Sequence, residues 1–139
     1  MAPPTRGYAK VPSPGNPAKT EAWALLEAAR LMEEAKTRGP EELLAAVRQN
    51  WRLWTIFQAS LVDAECTVPA EIRRNLLALA DIVDRQSAKL LADPDPAHVA
   101  GLVNLNRQIG EGLLEGARSA AVKQQQTAPP SAGPLRESA

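Results

Sequence analysis

Two asparagines are the residues of this chain best placed to do something chemical. Asn50 stands three residues after Val47 and four before Trp54; Asn106 stands four after Leu102 and three before Ile109. On a helix those spacings put each amide on an apolar stripe. A buried amide is costly unless its donors and acceptors are bonded. Two uses fit. The amides bond inside a core and fix the register of its helices, or at least one lines a groove and bonds a partner's backbone. Asn104 falls on another face, with Arg107, Gln108 and Glu111.

Other groups offer less. His98 is the single histidine, three residues after Asp95, whose carboxylate is explained by helix capping. Cys66 is the single cysteine and has no second catalytic group beside it. The sequence holds no glycine-rich phosphate loop, nucleophile elbow or zinc motif. The expectation is a non-enzymatic protein with no catalytic residues, metal or cofactor.

The tryptophans and glycines point towards binding or packing. Trp51 and Trp54 read as core anchors, although tryptophan is also enriched at interaction hot spots. Gly101, Gly110, Gly112 and Gly116 fall in one helical segment, and each weakens a helix interior by about 1 kcal/mol relative to alanine. Gly112 and Gly116 share a face, which suits either one tight contact or a soft docking surface. If partner binding resides here, the residues that carry it are Trp51, Trp54, Leu102, Asn106, Ile109 and Leu113.

Composition narrows the class. The chain has 139 residues, room for one domain with a hydrophobic core, and only 4% aromatic residues, so that core is built from Leu, Ala, Val and Ile. Its net charge is zero, but residues 20–118 hold 11 basic and 15 acidic side chains, a net of −4. An acidic fold is poorly suited to phosphate backbones, so direct nucleic-acid binding is not expected. A lone cysteine makes no intrachain disulfide. Neither a secretory leader nor a membrane-spanning apolar run is visible, and the expected location is the cytoplasm.

The elements that must position these residues are helices. Residues 1–19 contain Pro3, Pro4, Pro12, Pro14 and Pro17 and read as a flexible arm with one aromatic, Tyr8, which could fold back over an apolar groove. A first helix runs from about Thr20, as N-cap, to Arg38, with Gly39 as its stop. A second starts at Pro40 and runs to about Glu65. Its residues from Trp51 to Val62 are apolar nearly all round, which predicts the central, enclosed helix. A third spans about Pro69 to Leu91, with Ile72, Leu76, Leu79, Val83 and Leu90 as its stripe. Asp93-Pro94-Asp95-Pro96 breaks the chain, and a fourth helix runs from Pro96 to about Arg118. Residues 119–139 read as a disordered polar tail. The predicted fold is all-α: a small antiparallel bundle of about four helices over residues 20–118.

The order of these features resembles the FlaF family of flagellar biosynthesis regulators, over roughly residues 5–115. Tyr8 is followed by Glu21, Leu25 and Leu26, then by Asn50 with Leu53-Trp54-Thr55. Pro69-Ala70-Glu71-Ile72-Arg73, Leu79 and Ile82-Val83 come next, and Leu102-Val103-Asn104-Leu105-Asn106-Arg107 closes on Gly112-Leu113. The tail after Arg118 departs from that pattern. The resemblance implies a chaperone-like cytoplasmic factor that binds flagellin through its terminal helices and supports flagellin synthesis and secretion. An alternative it implies is an adaptor or post-transcriptional regulator that acts with a second regulator, FlbT, on translation of flagellin mRNA.

Overall fold

The computed structural model describes residues 17–127. Four α-helices account for most of them: α1 (Pro17–Ala35), α2 (Pro40–Val62), α3 (Ala70–Ala92) and α4 (Ala100–Thr127). The all-α bundle read from the sequence is the fold. Of the Pro-rich arm expected over residues 1–19, residues 1–16 lie outside the described part, and the last three are helical. Helix α1 therefore starts three residues before the expected cap at Thr20. Proline suits a helix's first turn, where its missing N–H has no intrahelical acceptor to lose.

The other boundaries follow from turn chemistry. Gly39, at φ 101°, reverses the chain between α1 and α2 in a conformation that disfavours side chains. Helix α2 stops at Val62 rather than Glu65. There Asp63 turns extended and its Oδ1 accepts the Glu65 N–H at 2.7 Å, competing with the helical pattern. Pro69 precedes α3 and its carbonyl accepts from the Arg73 N–H at 2.8 Å. Pro96–His98 forms a 3₁₀ turn instead of the first turn of α4, with Asp95 Oδ1 accepting from the Ala97 N–H at 2.9 Å. Helix α4 continues to Thr127, so residues 119–127, expected as tail, are helical.

Around the bundle the helices neighbour one another in the order α4, α1, α2, α3; α3 and α4 approach each other far less closely. One core cluster runs through all four, from Leu25, Ala29 and Met32 through Val47, Trp54 and Leu61 to Val83, Leu90, Val99 and Leu102. The close α1–α4 contact rests on Gly110. A Cβ there would lie 2.8 Å from Leu26 Cγ and 3.3 Å from the Ala22 carbonyl oxygen, whereas one at Gly101, Gly112 or Gly116 would meet open space. The tight glycine contact anticipated on the Gly112–Gly116 face is thus made at Gly110.

Helix α2 is not enclosed on all sides. Trp54, Phe57 and Leu61 are buried, but Ile56 is 63% exposed and Val62 68% exposed. The apolar girdle that predicted a central helix instead leaves Ile56 and the terminal Val62 open to solvent.

Candidate functional site

At the centre of the bundle, Asn106 joins three helices. Its Oδ1 accepts from Trp54 Nε1 of α2 at 2.9 Å. Its Nδ2 donates to the Leu25 carbonyl of α1 at 3.1 Å and to Asn50 Oδ1 of α2 at 2.7 Å. The indole has only a donor to offer, which sets which way the Asn106 amide points; Asn106 in turn sets Asn50. Both amides are fully buried. The Asn50 Nδ2 and the buried Ser87 hydroxyl have no hydrogen-bond partner among the described residues.

A second polar link ties α2 to α3. Half-buried Trp51 donates its indole N–H to Asp84 Oδ1 at 2.8 Å, and Gln58 Nε2 donates to Asp84 Oδ2 at 3.4 Å. Asp84 of α3 is itself half-buried beneath these donors.

The six residues singled out for partner binding divide in two. Trp54, Leu102 and Asn106 are buried, at 0%, 1% and 0% exposure, and a partner could reach them only if the bundle opened. Trp51, Ile109 and Leu113 are half-buried against the core and keep a solvent-facing edge. None of the six lines the α1–α2 groove described next.

A groove lies elsewhere, between α1 and α2. It encloses about 670 Å³ and is floored by Trp23, Ala24, Ala28 and Leu31 of α1 with Ala46, Leu53 and Ile56 of α2. Its α1 rim is a ladder of ion pairs: Arg30 bonds both Glu27 and Glu34, and Glu34 also faces Arg38 at 3.8 Å. Arg52 adds a positive charge from α2. The Arg30 hydrogen bond lowers the Glu27 carboxyl from its ordinary value. Sequence reading missed this site because Ile56 was assigned to an enclosed helix. The available signal was the alternation Glu27, Arg30, Glu34, Arg38 at spacings of three and four, which marks one edge of α1.

Catalytic geometry is not evident in the site. His98 is exposed, with Nε2 3.9 Å from Asp95 Oδ2, and Cys66 is half-buried. Among the described residues no three His, Cys, Asp or Glu side chains are grouped to hold a metal ion, and no helix is long and apolar enough to cross a membrane.

A family model, flagellar protein FlaF, matches residues 5–113. Comparisons with curated proteins and with solved structures found no match. The matched region takes in α1, α2, α3, the 3₁₀ turn and the first half of α4, including both core asparagines and the whole α1–α2 groove. On that extent of agreement, the chain belongs to the FlaF family of flagellar proteins.

Proposed function

We propose that this protein is a carrier for flagellin that shelters one of flagellin's terminal helices in the α1–α2 groove. The observation that carries the reading is the groove itself, an open apolar trough rimmed by ion-paired charges in a chain of a flagellar family. Amphipathic helices are recognised by such grooves through apolar anchors spaced three and four residues apart. The groove follows α1 from Trp23 to Glu34, about 16 Å at a rise of 1.5 Å per residue, enough for three turns of a docked helix. Ile56 supplies exposed apolar surface that the bundle itself does not use. Flagellin's terminal helices associate with one another on assembly, and covering them would hold back premature assembly.

Calorimetric titration with cognate flagellin, and with flagellin lacking its terminal helices, tests the reading. Micromolar or tighter binding that is lost without those helices, and lost again in Ile56→Asp with unchanged helix content, is the expected result. No binding of intact flagellin would overturn it and turn attention to FlbT as the ligand.

A further inference from the structure

We propose that the α1–α2 groove takes an amphipathic helix with an acidic edge, that this edge lies along α2, and that Arg52 is the residue that recognises it. The orientation of the bound helix is then fixed by charge. This deepens the reading of the groove as a docking site and rests on it.

The two walls of the groove are charged differently. On the α1 side each charge is already matched: Arg30 donates to Glu27 at 3.1 Å and also bonds Glu34, and Glu34 faces Arg38 at 3.8 Å. A partner's charge gains little there, because it must compete with bonds already made. The α2 wall carries one charge, Arg52, and it makes no ion pair among the described residues. Its helical neighbours offer none, since the positions three and four away hold Gln49, Arg48, Thr55 and Ile56. The nearest acids along the chain are Glu42 and Asp63, about 15 Å or more away along the axis. Arg48, one turn before Arg52, is a second exposed arginine with no described carboxylate partner. Like charges one turn apart disfavour a helix. The surplus positive charge of the rim therefore sits on the α2 side.

An unmatched guanidinium beside an apolar trough has a definite chemistry. Its planar fork of N–H donors suits a carboxylate, and a helix docked next to it excludes water and strengthens the pair. A helix in the trough keeps its apolar face on Trp23, Leu31 and Ile56 whichever way its chain runs. Turning it end for end exchanges its two edges. Glutamates or aspartates on one edge thus meet Arg52 in one direction and the Glu27–Arg30–Glu34 ladder in the other. Lysines on that edge would be repelled by Arg52. The apolar floor supplies affinity, and the arginine supplies direction and choice of partner.

The test uses the full chain and two designed helical peptides with the same leucine anchors, one carrying glutamates along one edge and the other lysines there. Calorimetry should show the glutamate peptide binding about 3–10-fold tighter, with the gap narrowing as salt rises. Arg52→Gln should remove the preference and Arg52→Glu should reverse it. Arg107→Gln, an equal change of net charge on α4, should leave it intact, and Ile56→Asp should weaken both peptides alike. A paramagnetic label on the N-terminus of the glutamate peptide should broaden amides at one end of the groove, near Trp23 or near Glu34. Moving the glutamates to the opposite edge should move the broadening to the other end. Equal affinities for the two peptides, a preference that Arg52→Glu does not reverse, or broadening at both ends overturns the role of Arg52. If Ile56→Asp still abolishes binding in that case, the groove itself stands. Failure of both peptides to bind the parent chain overturns the groove and its acidic partner together. Circular dichroism verifies that every variant keeps its helix content.

Discussion

The Trp54 indole and the Asn106 side chain meet across the bundle at 2.9 Å, a buried donor–acceptor pair that links α2 to α4 although neither helix packs closely along the other. The pair is the hinge of a small network, because Asn106 also holds Asn50 and the Leu25 carbonyl.

Asn106→Leu should therefore keep helix content but cost about 2–5 kcal/mol, since it strands the Trp54 donor and the Asn50 acceptor inside the core. Urea denaturation measures the loss. A midpoint within experimental error of the parent would show that the network adds nothing to stability.

Ser87 should behave in the opposite way. Its buried hydroxyl bonds nothing among the described residues, and alanine is the better helix former. Ser87→Ala is expected to stabilise by about 0.5–1 kcal/mol. Destabilisation beyond about 1 kcal/mol in the same denaturation experiment would mean that the hydroxyl is satisfied in solution.

The glycines of α4 should separate cleanly. Gly112→Ala and Gly116→Ala enter open space and should each raise stability by up to about 1 kcal/mol. Gly110→Ala pushes a methyl against Leu26 and the Ala22 backbone, and overpacking of that kind costs about 1–3 kcal/mol. Thermal melts of the three variants should rank Gly110→Ala below the parent and the other two above it.

Glu21 gives the fold a pH signature. Burial raises its carboxyl above the ordinary carboxylate value, so the folded protein holds that proton more tightly than the unfolded chain does. Its contribution favours folding at low pH and is lost as pH rises through the raised folded value. Glu21→Gln should therefore raise the melting temperature at pH 7, and the advantage should shrink towards zero below about pH 4, the usual glutamate range. An equal effect at both pH values would place the cause elsewhere.

Much of this fold is legible in residue spacing. Pro40 and Pro69 marked where α2 and α3 start, and the periodicity around Val47, Trp54, Leu102 and Ile109 placed Asn50 and Asn106 on apolar stripes. The outer ends of α1 and α4 were not legible. Pro17 and the polar run after Arg118 read as breakers or tail by composition, while helix propagation from a packed segment carries through both. The α1–α2 groove escaped because an apolar girdle says that a helix wants to be covered but not by what. Nor does periodicity show which of several glycines meets a neighbouring backbone; that depends on the register between α1 and α4.

The bond between Asn106 and the Leu25 carbonyl spans 81 residues, and it sets a clock on biosynthesis. Translation at about 5–20 residues per second separates those two groups by roughly 4–16 s. For that interval the nascent α1 carries Leu25 and Met32 with no α4 to cover them. The growing chain thus presents an apolar face to solvent for seconds before the helix that will cover it has been made.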